Sequence, residues 1–309
     1  MYTDVIIGFD GSAAGHDALA LGRRLALTTG ASTTVVCVHP YQALTAEVAA
    51  DSAIELSWRR GAEVILEGAR RTLDDVPDVT FRAKPETSPA RALHEIAREA
   101  AAAVIVVGAT HRTALGRVVP GTTADRILHG APCAIAVAPA GYAGRDPRSL
   151  HGVVGAAVDG RKDTGRVARI AADIARGAHA KLRLLTVADI HRAPRPMSIG
   201  RLENPSVRAA IRRSAHHALE RATVAAGAGI VVERQVVEGD PVVSLLAESN
   251  DLDLLVVGSR AYGPVRRVVL GRVGGAVLRD AACPVLAIPR SVPHELDASI
   301  AAVARAAAR

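Results

Sequence analysis

Gly108, Gly121, Thr122 and Thr123 are the residues whose types and spacing best suit phosphate chemistry. Gly108 ends the apolar run Val104-Ile105-Val106-Val107, and Gly121-Thr122-Thr123 opens a new helical pattern after a loop. Glycine lets backbone N–H groups close on an oxygen, and threonine hydroxyls add donors. A helix N-terminus brings the positive end of its aligned peptide dipoles. Ala109, Thr110 and His111 begin the loop, and His111 is either a further phosphate donor or a solvated loop histidine. Strand, glycine, loop and helix also follow one another in many α/β proteins that hold no ligand, so this stretch alone leaves both readings open.

Other chemistries find little support. No G-x4-G-K-[ST] loop occurs, and no lysine lies in this stretch. Cys37, Cys133 and Cys283 lie in or beside apolar strand-like runs, without Cys–His zinc spacing, and read as buried inert thiols. Asp10, at the end of the first strand pattern, is the one carboxylate the pattern singles out in the first half, so a metal-and-base constellation is not evident. Residues 147–309 carry 24 Lys+Arg against 15 Asp+Glu, whereas residues 1–146 carry 14 against 16. Such asymmetry fits an anionic partner or a solvated arginine-rich face. With aromatics at only 2%, base stacking has few platforms, which disfavours nucleic acid. No apolar run reaches the roughly 18 residues that span a bilayer. The N-terminus reads as a strand without a leader pattern, and the expected compartment is the cytoplasm.

The elements that must position these residues alternate. Strand patterns at Val5–Phe9, Thr33–Val38, Val79–Ala83, Val104–Val107 and Cys133–Ala138 are separated by helical patterns at about 13–28, 44–73, 89–102 and 122–129. The pattern then recurs. Val158-Asp159-Gly160 echoes Phe9-Asp10-Gly11, Lys181–Val187 echoes Thr33–Val38, and Leu252–Gly258 echoes the run ending at Gly108. Cys283–Ile288 echoes Cys133–Ala138, and a near-constant offset across a whole unit means tandem duplication. The expected fold is α/β: two tandem doubly wound five-stranded parallel-sheet domains, Rossmann-like, at 1–140 and 151–290. Residues 141–150 read as a linker and 291–309 as a helical tail.

Gly108, His111, Gly121 and Thr122 follow the spacing G-x2-G-x9-G-[ST] except that histidine takes the second glycine position. With VIIGFDGS at the start and HGAPCAIAV and RDAACPVLAI at the closing strands, the chain resembles the universal stress protein family over nearly its whole length, in two copies. The resemblance implies the adenine nucleotide alpha hydrolase-like form of this fold and an ATP site, with or without Mg2+, at the carboxyl ends of the strands. It implies that Asp10 contacts ribose hydroxyls, that the Val38 backbone holds adenine, and that Gly8 lets the ligand approach. Residues 108–111 and 121–123 would wrap the phosphates. The repeat carries these roles to Ala157, Asp159, Val187, Gly258, Ser259, Ala261, Gly271 and Arg272.

The second copy departs further. Ala261 replaces a glycine, Arg272 replaces the hydroxyl, and Gly160-Arg161 replaces Gly11-Ser12. An ATP-responsive stress module without robust catalysis is therefore weighed against a slow ATPase and a nucleotide-free pseudo-dimeric scaffold. The closing strands are expected to pair between the halves within one chain, or between two chains as a homodimer.

Overall fold

The structure, a computed structural model, describes residues 4–40, 52–109, 123–128, 130–145, 152–160, 164–189, 205–258, 260–261, 268–269, 272–289, 292 and 294–304. The first half runs β1 (Val5–Gly8), α1 (Ala13–Thr29), β2 (Thr33–His39), α2 (Ser52–Thr72), β3 (Val79–Pro85), α3 (Pro89–Glu99), β4 (Val104–Gly108), α4 (Thr123–Leu128) and β5 (Ala134–Ala138). The second runs β6 (Val153–Ala157), α5 (Thr164–Ala178), β7 (Lys181–Ala188), α6 (Pro205–Ala226), β8 (Val232–Glu238), α7 (Pro241–Glu248), β9 (Leu254–Gly258), β10 (Arg260–Ala261), β11 (Val268–Val269), α8 (Arg272–Asp280) and β12 (Val285–Ile288). Helix α9 (Asp297–Ala304) follows.

The main sheet has ten strands in the order β3-β2-β1-β4-β5-β12-β9-β6-β7-β8. Every neighbour pair is parallel except β5 and β12, which run antiparallel with Ala136 opposite Leu286. Each closing strand therefore has a partner on both sides inside the chain, and neither offers a backbone edge to a second chain. The α/β class and the mostly parallel sheet agree with the expectation from sequence.

Alternation along the strands separates two apolar layers. Val5, Ile7, Val104 and Val106 pack with α1, α2, α5 and α6 on one face. Ile6, Ile105 and Val107 pack with α3, α4, α7 and α8 on the other. All four residues of Val104–Val107 are buried, as a strand between two helical layers requires.

Local chemistry sets the helix ends. Ser12 caps α1 by accepting from the Gly15 N–H, and Gly30 ends it in the left-handed region at φ 65°. Helix α3 stops at Glu99, short of the expected 102, because Ala101 turns to φ 48° and the Ala102 N–H bonds back to the Ala97 carbonyl. Of the long helix expected at 44–73, α2 covers Ser52–Thr72, and residues 41–51 lie outside those described. The pair β10–β11 forms a small antiparallel ribbon. The tail forms α9, whose Ile300, Ala301 and Val303 are buried in the α1–α5 layer.

Candidate functional site

The sheet order creates the crevice. From β1 the chain steps outward to β2 and β3, then returns to β4 on the other side of β1. The carboxyl ends of β1 and β4 thus diverge at a switch in strand order, where ligands of open parallel sheets gather. Asp10 follows β1, Val38 lies near the end of β2, and Gly108 ends β4 with Ala109 just after it.

Asp10 is exposed, and its Oδ1 accepts from the Ser12 N–H at 3.0 Å and from the Ser12 hydroxyl at 2.6 Å. The same hydroxyl oxygen accepts from the Gly15 N–H at 3.1 Å. One serine thereby fixes the carboxylate and caps α1. Among the described residues Oδ2 of Asp10 has no hydrogen-bond partner, which leaves that acceptor oxygen uncommitted. Ser12 was not among the expected site residues; the spacing D-G-S before a helical run is the signal that reveals it.

Helix α1 also presses on the other wall. A Cβ on Gly108 would stand 1.9 Å from the Ala14 carbonyl oxygen, and one on Gly15 would stand 2.6 Å from Asp10 Oδ1. Glycine at both positions seats the first turn of α1 between Asp10 and the end of β4. Gly8 behaves otherwise. Its missing Cβ points at Leu93 Cδ1, 3.1 Å away on α3, so packing already accounts for its small size. Val38 is half-buried, and its neighbour Cys37 has its thiol pushed up to about 11 by burial, then by the charges of Asp10 and Glu63. Glu63 of α2 thus joins Asp10 on this side as an acid the sequence pattern did not single out.

Thr110, His111, Gly121 and Thr122 lie outside the described residues, and of Thr123 only the backbone, the first residue of α4, is described. Buried His94 of α3 donates from Nε2 to the Ile127 carbonyl of α4. Its pKa is held below the ordinary 6.5 by burial, with the nearby Arg98 charge acting in the same direction.

The second half has the same plan with different fittings. Asp159 is exposed at the turn after β6, with the Thr164 hydroxyl 3.5 Å from its Oδ1. Ala157 and Val187 hold the positions of Gly8 and Val38, each half-buried. The turn itself is covered: Arg221 of α6 donates to the Gly160 carbonyl. Gly258 meets α5 more gently than Gly108 meets α1, its Cβ direction ending 3.0 Å from the Val167 Cγ2 methyl. Ser259 and Gly271 lie outside the described residues. Ala261 pairs with Val268 in extended conformation, so it bears none of the strain a left-handed position would impose. Arg272 is exposed and bonded to Asp240 at 2.8 Å. Asp240 also caps α7 through the Val242 and Val243 N–H groups. Its carboxyl is held below the ordinary carboxylate range, first by Arg272 and then by the Val242 N–H. Arg272 is therefore already committed to an acid. Among the described residues no group of three or more His, Cys, Asp and Glu gathers to hold a metal.

Each half is locked behind its closing strand by one residue at a matched place. Asp17 of α1, 3% exposed, accepts from the Gly141 and Ala143 N–H groups after β5. Arg166 of α5 donates from Nε to Asp297 at 2.9 Å, after β12.

A sequence profile described as the Universal stress protein family matches residues 1–139 and again 152–289. Universal stress proteins of Mycobacterium bovis and of Mycobacterium tuberculosis H37Rv are each 29% identical over 292 residues, covering 92% of this chain and 99% of theirs. The crystal structure of a universal stress protein from Archaeoglobus fulgidus superposes with TM-score 0.64 at 18% identity, covering 93% of this chain and 96% of its own. A protein of unknown function from Pseudomonas aeruginosa gives TM-score 0.61 at 16% identity over 98% and 97% of the two chains. At such identities the two structures speak for the fold alone. None of the described helices is long and apolar enough to cross a membrane.

Proposed function

The chain belongs to the universal stress protein family, and from that premise we propose that its first half binds ATP as a cytoplasmic, nucleotide-responsive module without robust turnover. The observation that carries this is the arrangement around the first turn of α1. That turn holds Asp10 through Ser12 and packs against Gly108, which supports reading Asp10 and the end of β4 as two sides of one site. A carboxylate suits vicinal hydroxyls, and glycine-lined backbone suits phosphate oxygens. The loop that would close over the phosphates carries His111, Gly121 and Thr122.

The second half would hold nucleotide weakly or not at all. Arg221 lies over its turn, and Arg272 is held by Asp240. ATP would act by favouring one loop and helix arrangement over another, and its effect is bounded by its differential affinity for the two.

Acid-denatured protein should release ATP or ADP on ion-exchange chromatography, and calorimetry with Mg-ATP should give one strong site per chain. Asp10→Ala should remove that site while Asp159→Ala leaves it. The absence of both bound nucleotide and heat on titration would overturn the assignment; loss on Asp159→Ala alone would transfer it to the second half.

A further inference from the structure

The halves diverge sharply in the slot between the outermost strand and the helix above it. Phe81 stands opposite Val35 in the β2–β3 ladder, and Arg234 stands opposite Leu184 in the β7–β8 ladder. The duplicated register makes Phe81 and Arg234 equivalent. Both lie on the strand face turned toward the helix, between Val79 and Ala83 in one case and between Val232 and Val236 in the other. The helices align in the same way. Ile65 of α2 faces the turn glycine Gly11 and Ala218 of α6 faces Gly160, which makes Arg70 and Thr223 equivalent.

In the first half the slot is filled from within. The Phe81 ring lies beneath the Arg70 guanidinium, 4.3 Å from ring centroid to carbon. In the second half both parts are replaced. Arg234 stands where the ring was, and Thr223 turns its hydroxyl back on the Leu219 carbonyl at 2.8 Å. A cavity of about 520 Å³ opens there, lined by Arg212, His216, Leu219, Arg234, Val236 and Glu238. That volume falls in the range of small-molecule sites. Leu219 and Val236 give it an apolar floor. Arg212 is engaged by Glu238, whereas Arg234 pairs with no acid among the described residues.

We propose that this slot binds a small aromatic carboxylic acid, with its ring against Leu219 and Val236 and its carboxylate on Arg234. The floor and the neighbouring guanidinium suit a flat ring, and an unpaired guanidinium suits a two-oxygen anion. Glu220 and Glu238 also line the slot and oppose a polyanion, which separates this site from a triphosphate crevice. Nothing in the slot depends on the nucleotide site at Asp10.

1-Naphthoate titrated into the full-length chain should bind saturably at one site by calorimetry, and saturating Mg-ATP should not compete. Arg234→Gln, which keeps the slot and removes the charge, should weaken binding about tenfold or more. Arg234→Phe should refill the slot as in the first half and abolish binding, with circular dichroism and chemical stability confirming the fold of each variant. Neutral 1-naphthylmethanol should bind about tenfold more weakly than the acid. No saturation by 1-naphthoate at millimolar concentration would overturn the assignment. So would undiminished affinity in Arg234→Phe, or equal affinity for the neutral analogue.

Discussion

Alanine substitution at the paired glycines ending β4 and β9 tests how the crevice is built. At Gly108 the added Cβ would stand 1.9 Å from the Ala14 carbonyl oxygen and 2.9 Å from the Ala14 Cα, whereas real Cβ atoms essentially never approach within 3.0 Å of such atoms. The obstacle is backbone, so the first turn of α1 or the end of β4 must shift by about an ångström. That turn is tied down by the Ser12 cap and by Asp17, and relief is costly. Overpacking of a close-packed site costs about 1–3 kcal/mol, and a backbone obstacle places Gly108→Ala at the upper end. At Gly258 the added atom meets the Val167 Cγ2 methyl at 3.0 Å, and a side chain can give by a few tenths of an ångström. Gly→Ala at an unstrained position also restricts the unfolded chain, worth about 0.4–1 kcal/mol in favour of folding. The two effects nearly cancel, so Gly258→Ala should lie within about 1 kcal/mol of the natural chain. Urea titrations of both variants, followed by circular dichroism and intrinsic fluorescence to test for a shared transition, give the comparison. Gly108→Ala should also weaken ATP because the shift moves one crevice wall. Equal loss in the two variants, or Gly108→Ala indistinguishable from the natural chain, would refute the close approach of α1 to β4.

Removing one partner of the Arg166–Asp297 pair, whose side chains are 8% and 15% exposed, should destabilise the chain by about 3 kcal/mol in Arg166→Ala, read by chemical denaturation. The folded pKa of His94 lies below its ordinary 6.5. The unfolded state therefore takes up the proton first, and His94's contribution is full above about pH 6.5 and lost as pH falls toward the folded value. Stability measured from about pH 7.5 down to about pH 5 should decline through this term, and His94→Gln should flatten that part of the profile. Burial pushes the Cys133 and Cys283 thiols to about 12 and Cys37 to about 11. Iodoacetamide at neutral pH should leave all three unlabelled in the native chain and modify all three in denaturant, counted by mass spectrometry; fast native labelling would contradict the burial.

Much of the fold was legible because apolar strand runs, glycine ends and a near-constant repeat offset are local signals. The apolar run Val104–Val107 needed no tertiary knowledge. The intrachain pairing of β5 with β12 was left beside a pairing between chains, since an apolar strand does not encode which edge it will meet. Contacts between distant polar residues were equally invisible. Arg272 with Asp240, Arg221 with the Gly160 carbonyl, and Asp17 with the chain after β5 depend on how helices and loops sit over the sheet. Gly8 was read as clearance for a ligand, while its Cβ direction is occupied by Leu93. A glycine in sequence reports that space is short without saying what fills it.

The divergence of the halves follows one rule. Positions that hold the layers together are conserved in kind: Leu66 and Leu219, Ala62 and Ala215, and Ala69 and Ala222 are buried pairs at matched places on α2 and α6. Positions at the turn or the outer slot change charge or size: Gly68 against Arg221, Phe81 against Arg234. Because β5 and β12 join both halves in one sheet, each half gains its closing partner from the other. Neither half then needs its own ligand to complete the core. The first can keep an open turn at Asp10 while the second closes its turn with Arg221 and opens a slot at Arg234. Substitutions at the outer slot should therefore leave the Asp10 crevice unchanged, because the two share no side chain and lie in different halves of the sheet.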